Sequence, residues 1–243
     1  MADHYYDQFG HPCYTVIGAN GKERNTNVAD ARKLGLVPSV TTILNMAAKP
    51  GLINWMLDQA ILAALTLPKK EDEDEASYLK RVKHDSKQQG KDAADFGTRI
   101  HNAIEIYMGG ENVSDEYVDY CEAVAEVLYD FYGDVQWIAE ESFAHSLKFG
   151  GKVDLHSDGI VIDVKTKEFG PDDKVDGYEE HCIQLAAYRE GLQMPKAECA
   201  NVFVSRTHPG LVRVIQWDQK ELAKGWQMFQ HYLAIWKLKN NFN

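Results

Sequence analysis

Two acidic residues and a lysine lie close together in the second half of the chain. Asp154 is followed by Asp163, and Lys165 comes two positions later. Carboxylate oxygens are the ligands that Mg²⁺ and Mn²⁺ prefer, and a nearby lysine can hold a water molecule or stabilise a developing phosphate charge. These residue types suit metal-assisted phosphodiester hydrolysis, although a lone D-x-K pattern is also common among solvated loop charges.

A tight turn is predicted between these acidic residues. Asp158-Gly159 joins two apolar-rich runs at residues 152–156 and 159–164, and Asp-Gly in that setting is a strong hairpin signal. Because side chains alternate along a strand, Asp163 and Lys165 should share one face. We therefore expect the two carboxylates and the ammonium group to converge from neighbouring strands.

A histidine could add a nitrogen ligand to such a site. His101 and Glu105 are four apart in a helix predicted over residues 76–108, so they lie on one face. A neutral imidazole can complete a Mn²⁺ or Mg²⁺ shell and suits Mn²⁺ better. An isolated helical histidine is more often an ordinary surface or core residue. Gly97 would allow a strand or a substrate to approach the helix closely.

Four further polar residues are candidates for the same site. Glu140 and Glu141 lie in the strand before the hairpin, and alternation turns only one of them toward the core side. Either is an extra metal ligand or a solvated charge, and we include Glu141 among the candidate ligands. Gln184 and Tyr188 lie one helical turn apart after the hairpin. They offer an amide for a phosphate or the lysine and a ring for stacking, although such a pair usually packs a helix on a sheet.

The charge of the chain restricts how it could bind nucleic acid. Its 243 residues carry a formal net charge of −11, which argues against non-specific coating of nucleic acid because counterion release requires a cationic surface. DNA binding would have to use a local positive groove. Candidates for that groove are Lys91, Arg99, Lys148, Lys152, Lys165 and Lys167.

Several protein classes are disfavoured by the sequence. No apolar run is long enough to span a bilayer, and residues 1–7 lack the basic and apolar regions of a secretory signal. The four cysteines are scattered and form no C-x-x-C pair, which argues against a zinc site and a disulfide framework. We therefore expect an intracellular protein with no membrane association.

Helical periodicity dominates the first half of the chain and strand alternation dominates the second. Residues 1 to about 37 are predicted to form short strands and a loop, followed by a short helix capped by Ser39. Longer helices are predicted at residues 51–65, 115–132, 179–191 and 219–239, and residues 76–108 are predicted to form one long helix or two abutting ones. Strands are predicted at residues 136–144, in the two hairpin runs, and at 198–205 and 211–217. The predicted fold class is α/β: helices flanking one mixed central sheet.

Together these motifs resemble the RecB-like branch of the PD-(D/E)XK nuclease superfamily. The likeness covers about residues 95–205, and each motif is weak alone while four in this order are jointly strong. A Pro38-Ser39-Val40-Thr41 segment followed by Asn54-Trp55 also looks like phage exonucleases and the mitochondrial genome maintenance exonuclease. The matching pairs are Gly97 with His101, Gly151 with Asp154, Asp163 with Lys165, and Gln184 with Tyr188.

The resemblance implies a restriction-endonuclease-like core that uses Mg²⁺ or Mn²⁺, with two ions expected, on single-stranded DNA or DNA ends. Lys165 would position the attacking water, and Gln184 and Tyr188 would organise the lysine and the DNA strand. The second acidic position is Asp rather than the commoner Glu, and the cysteine spacing does not match a four-cysteine pattern, so no iron–sulfur cluster is expected. Implied metal ligands are His101, Asp154, Asp163 and the backbone carbonyl of Val164. Candidate DNA contacts are Ser39, Thr41, Trp55, Arg99, Lys148, Lys152 and Lys167.

The leading hypothesis is a metal-dependent DNA exonuclease of replication, recombination or repair, with a recombination or replication protein as a candidate partner and a phage as a candidate source.

One domain is expected, with residues 1–94 as an N-terminal part of strands and helices that could arch over DNA, 95–217 as the nuclease core and 218–243 as a C-terminal helix. Two alternatives stay open. One is a catalytically silent nucleic-acid-binding or scaffold protein on a nuclease-like fold, and the other is a structure-specific endonuclease.

Overall fold

A five-stranded mixed sheet carries the candidate site residues. In the computed structural model, which describes residues 3–242 except for the side chain of Gln89, the strand order is β5-β6-β7-β8-β9. The pair β7–β8 is parallel, and the other neighbouring pairs are antiparallel. The strands are β5 (Ile138–His145), β6 (Phe149–Ser157), β7 (Ile160–Lys167), β8 (Glu198–Ser205) and β9 (Val212–Trp217).

Helix α6 (Glu179–Gly191) makes the crossover between the parallel strands β7 and β8. Such a crossover usually contains a helix because it must return the chain to the same edge of the sheet. Most of α6 is buried, and it packs against α7 (Gln219–Asn240), where Gly225 brings the backbone of α7 close to Ala186. The expected α/β class with a mixed sheet and flanking helices is confirmed.

The preceding part of the chain is mainly helical. Two short antiparallel ladders, β1 with β4 and β2 with β3, lie near its beginning. The elements are β1 (Tyr5–Tyr6), β2 (Thr15–Ile17), β3 (Glu23–Asn25), α1 (Val28–Leu34), β4 (Val37–Pro38), α2 (Val40–Leu44), α3 (Pro50–Thr66), α4 (Glu75–Met108) and α5 (Asp115–Tyr132). Among the described residues, no helix combines the length and apolar character that a membrane span requires.

The chain divides into two compact units. The smaller is Ala48–Ile100, and the larger contains the described residues up to Ala47 and from His101 onward. Helix α4 belongs to both units, since its last turns begin the second segment of the larger one. The single nuclease domain expected from the sequence stays a prediction.

Some predicted elements differ from the observed ones. Residues 28–34, predicted as part of a loop, form helix α1, which Asn27 and Asp30 begin with a capping box and Gly35 ends in a left-handed conformation. A helix of only seven residues is too short to show a clear hydrophobic periodicity. The residues at its two ends, which form the caps, were the pattern that could have predicted it. Strands β6 and β7 also extend beyond the predicted hairpin runs. In contrast, α6 and β8 have the predicted bounds.

Candidate active site

The turn between β6 and β7 places the two aspartates next to each other. Gly159 has φ 74°, a conformation that glycine adopts without steric cost. The backbone pairing of β6 with β7 ends at Leu155 and Ile162. Beyond that point the side-chain carboxylate of Asp154, in place of a backbone carbonyl, accepts the next hydrogen bond from β7. Its Oδ2 accepts a hydrogen bond of 2.7 Å from the Val164 backbone N–H. Asp154 and Asp163 are buried, with 7% and 1% of their surface exposed.

His101 joins helix α4 to this aspartate. Its Nε2 lies 3.0 Å from Asp154 Oδ2, and its Nδ1 lies 2.9 Å from Glu105 Oε1. Burial lowers the pKa of His101, but the charge of Asp154 and hydrogen bonds to Asp154 and Glu105 raise it to about 10. Burial acts to raise the pKa of Asp154, and the charges of His101 and Lys165 reverse that effect and lower it. The predicted proximity of the histidine to the hairpin is therefore observed.

Lys165 is held by two side chains. Its Nζ lies 2.7 Å from both carboxylate oxygens of Asp163 and 3.4 Å from Gln184 Oε1. The Gln184 Nε2 group donates to Asp163 Oδ1 at 2.7 Å and to the Tyr188 hydroxyl at 2.9 Å. Since a lysine only donates, the amide oxygen of Gln184 must face it. The helix and strand residues of the predicted motif thus form one hydrogen-bonded group.

Tyr188 occupies a different position from the one expected for a stacking residue. Its side chain is only 5% exposed, and its ring meets Phe143 edge-on at a centroid distance of 6.1 Å. Burial, with the charges of Asp163 and Asp154, raises the pKa of Tyr188 well above its usual value. The prediction that its ring is available to stack on a base is wrong, because the ring is part of the core. Its hydroxyl instead accepts a hydrogen bond from Gln184.

Gly151 permits this packing. A Cβ at Gly151 would lie 2.9 Å from the Phe143 ring and 3.0 Å from Tyr188 Cε1. Two aromatic rings therefore rest directly on the backbone of β6, three residues before Asp154. The glycine of the G-x-x-D pattern is therefore required for a steric reason: a larger residue would collide with these rings.

Two residues of the site were not anticipated from the sequence. Asn201 Nδ2 donates to Asp163 Oδ2 at 2.6 Å, and Trp217 Nε1 donates to Asn201 Oδ1 at 2.7 Å. Burial and the charge of Asp154 raise the pKa of Asp163 to about 6, against the lowering effect of Lys165. The available signal was a single asparagine in the otherwise apolar run of residues 199–204 inside strand β8.

Of the two neighbouring glutamates, Glu140 is the one directed toward the site. It hydrogen-bonds Glu105 and contacts Lys152 Nζ. Glu141 instead lies opposite Val153 in the β5–β6 ladder. Glu140 rather than Glu141 therefore lies beside the site, and the register of the β5–β6 ladder is the same on both sides of it although its backbone is left-handed (φ 59°). Metal binding by Glu141 stays a prediction.

A cavity of about 510 Å³ adjoins this second group of charges. Glu105, Glu140 and Lys152 line it together with Asn102 and Ile106. Glu105 therefore connects the cavity to His101, which also contacts Asp154.

The DNA-contact candidates of the larger unit are dispersed. Ser39 is buried, and its hydroxyl caps helix α2 by accepting from Thr42 N at 2.9 Å, whereas Thr41 is exposed. Lys148 is exposed at the turn between β5 and β6. Lys167 continues the face of Lys165 along β7 and lies 5.6 Å from the Tyr178 ring centroid. Their DNA contacts stay predictions.

The remaining candidates belong to the smaller unit. A Cβ at Gly90 would lie 3.1 Å from the Trp55 ring, so the two helices of this unit meet closely there. Arg99 lies over the Phe96 ring at 5.4 Å. Lys91 is exposed, and Gly97 lies on the same helix.

The donor set fits a hard divalent cation. Asp154, Asp163 and Glu105 are all buried, and buried carboxylates near one another repel unless positive charge offsets them. Ligand atoms of His101, Glu105 and Asp154 lie within 4.8 Å of one another. Carboxylate oxygens with one imidazole match the preferences of Mg²⁺ and Mn²⁺. His101, Glu105 and Asp154 are the residues of this group that would hold it, and metal binding by Asp163 and by the backbone carbonyl of Val164 stays a prediction.

No family model and no curated protein sequence matches the chain. Solved structures similar to it include a protein described as a candidate exonuclease from Eubacterium rectale, with 15% identity, a TM-score of 0.45, and coverage of 61% of this chain and 69% of that chain. Another is an alkaline exonuclease from Laribacter hongkongensis, with 14% identity, a TM-score of 0.35, and coverage of 78% and 94%. A third has no functional description and shows 16% identity, a TM-score of 0.32, and coverage of 74% and 86%.

Proposed function

We propose that this protein is a Mg²⁺- or Mn²⁺-dependent deoxyribonuclease of the PD-(D/E)XK type that acts as an exonuclease on single strands or DNA ends. The observation that carries the proposal is the convergence of the buried carboxylates of Asp154 and Asp163 with the half-buried ammonium group of Lys165. Gln184 connects the lysine to one of these carboxylates. In the absence of a function, such a group of buried charges would be costly to retain.

The roles of the side chains follow from their contacts. Asp154 and Asp163, with His101 and Glu105, would hold the divalent ions. A bound ion would supply Lewis-acid polarisation of the phosphate and a lowered pKa of a coordinated water. The Lys165 ammonium group, fixed by Asp163 and Gln184, would orient the attacking water and stabilise the negative charge on the phosphate oxygens in the transition state.

Lys165 distinguishes this proposal from a catalytically silent binding protein. A protein that only binds DNA gains most from exposed lysines that contact phosphates. Lys165 is instead directed inward onto Asp163, where it acts on at most one phosphate. The net charge of −11 is compatible with a nuclease that holds its substrate locally at the site.

Cleavage of end-labelled DNA tests the proposal. Single-stranded DNA labelled at the 5′ or 3′ end is incubated with wild-type protein in Mg²⁺, Mn²⁺ or EDTA, beside Lys165→Ala and Asp163→Ala. Lys174→Ala is the matched control, because Lys174 is an exposed lysine paired only with Asp176 among the contacts of its ammonium group that the structure describes. We expect metal-dependent laddering by the wild type and the control and none by the site variants. Cleavage by Lys165→Ala at the wild-type rate would refute the assignment.

A circular single-stranded substrate separates the two kinds of nuclease. An exonuclease needs a free end and leaves the circle intact. Linearisation of the circle at a rate comparable to degradation of linear DNA would establish the endonuclease alternative with the same chemistry.

A further inference from the structure

Asn201 is a buried amide in the middle of the sheet. It lies on β8 in register with Asp163 on β7, and none of its surface is exposed. Burying an amide without hydrogen bonds is unfavourable, because the group loses its bonds to water and gains none in exchange. A hydrophobic residue would fill this position without that requirement. The asparagine therefore needs an explanation in terms of its partners.

The orientation of the Asn201 amide is determined by Trp217. The indole Nε1–H can only donate, and it lies 2.7 Å from Asn201 Oδ1. The oxygen of the amide must therefore face β9, which turns its NH₂ group toward β7. There Nδ2 donates to Asp163 Oδ2 at 2.6 Å and lies 3.4 Å from the Asp163 carbonyl oxygen.

These bonds act on the carboxylate that Lys165 and Gln184 also contact. Lys165 and Gln184 both donate to Asp163 Oδ1, while Asn201 anchors Oδ2 from the neighbouring strand. Lys165 Nζ also lies 2.7 Å from Oδ2, so both oxygens are restrained and the carboxylate cannot rotate freely. Residues that orient a metal ligand in this way typically change metal affinity by about 10–100-fold when they are replaced.

We propose that Asn201 and Trp217 are positioning residues, which form a relay from β9 through β8 that orients the Asp163 carboxylate for a divalent cation. The inference rests on the proposed function, since it assumes that Asp163 binds metal. Neither residue touches the substrate in this scheme. Trp217 acts on the site solely through the amide of Asn201.

The decisive variant is Trp217→Phe, which removes the indole N–H and retains most of the apolar bulk. Trp226→Phe is the matched control: Trp226 is also a half-buried tryptophan packed against the core, and it lies on α7. Asn201→Leu removes the amide itself at similar volume. The first measurement is Mn²⁺ affinity, obtained from the electron paramagnetic resonance signal of free Mn²⁺ during titration, and the second is the unfolding temperature of the metal-free protein.

We expect Trp217→Phe to weaken Mn²⁺ binding about 10-fold and Asn201→Leu up to about 100-fold. Trp226→Phe should bind Mn²⁺ like the wild type. Cleavage by Trp217→Phe should recover toward the wild-type rate as Mn²⁺ is raised, because the relay affects the affinity for the ion and not the chemical step. A purely structural role would lower the unfolding temperature without this selective, metal-rescued defect.

Two failures have different meanings. If the wild type and Trp217→Phe bind Mn²⁺ equally well, the positioning role is refuted and the proposed nuclease function is unaffected. If the wild type itself binds no Mn²⁺, both proposals fail. Should Asn201→Leu not fold, Trp217→Phe alone decides the question.

Discussion

The carboxylate of Asp154 is bonded to the backbone of the adjacent strand, where its Oδ2 accepts the N–H of Val164 at 2.7 Å. A side chain here replaces a backbone carbonyl in the ladder of the sheet. The bond fixes Asp154 relative to β7, the strand that also carries Asp163 and Lys165. Mutations of Asp154 can therefore remove its negative charge while they keep or remove its hydrogen bond to Val164.

Replacing Asp154 by Asn should abolish cleavage without unfolding the protein. The amide oxygen can still accept the Val164 N–H, but the negative charge that faces His101 and a cation is lost. Asp154→Ala removes both the charge and the acceptor, and should cost about 1–3 kcal/mol of unfolding free energy because a buried N–H loses its partner. Urea denaturation together with the cleavage assay checks both effects. Wild-type cleavage by Asp154→Asn would contradict the metal-ligand role.

Gln184 should contribute to the rate through its contacts with the lysine and the aspartate. Gln184→Leu removes the amide that contacts Lys165 and Asp163, and we expect cleavage to fall by about 10–100-fold, the range for residues that orient an active-site ligand. Tyr188→Phe keeps the buried ring and removes only the acceptor for Gln184. It should lower the rate less than Gln184→Leu does. An effect of Tyr188→Phe that exceeds that of Gln184→Leu would show that the hydroxyl has a role of its own.

Gly151→Ala should destabilise the fold through its Cβ. The added methyl would lie 2.9 Å from the Phe143 ring and 3.0 Å from Tyr188, and overpacking of this kind typically costs about 1–3 kcal/mol. The double variant Gly151→Ala with Phe143→Leu makes room and should be less destabilised than the two single effects added together. Denaturant midpoints of the four proteins form the test. Strict additivity would mean that the clash with Phe143 is not the cause.

Divalent metal should stabilise the folded protein. A ligand that binds only the native state at 100 times its dissociation constant adds about 2.7 kcal/mol, which raises the unfolding temperature of a chain of this size by roughly 5–10 °C. Mn²⁺ should produce this shift in the wild type, and EDTA should reverse it. Asp163→Ala should show little or no shift. An equal shift in Asp163→Ala would locate the stabilising ion elsewhere.

Local patterns in the sequence were sufficient to predict the elements that carry the site. Asp-Gly between apolar runs predicts the β6–β7 hairpin, and period-two spacing puts Asp163 and Lys165 on one face. Helical spacing does the same for His101 with Glu105 and for Gln184 with Tyr188. These relationships involve residues at most a few positions apart, so backbone geometry alone determines them.

The choice between Glu140 and Glu141 shows where such patterns fail. Alternation turns only one of the two toward the site, but it does not say on which face of β5 the site lies. Tyr188 shows the same limit in another way, because helical spacing places it beside Gln184 but does not reveal the Phe143 ring that covers it.

The sequence by itself determined which charged residues could form a metal-dependent site and which strands and helices carry them, since those features depend on short-range periodicity and turn chemistry. Only the tertiary structure decided what holds the site in place. Asn201 is 38 positions from Asp163 and 16 from Trp217. Their hydrogen bonds exist because β7, β8 and β9 pair in a particular order and register, and pairing between distant segments leaves no periodic signal in the chain.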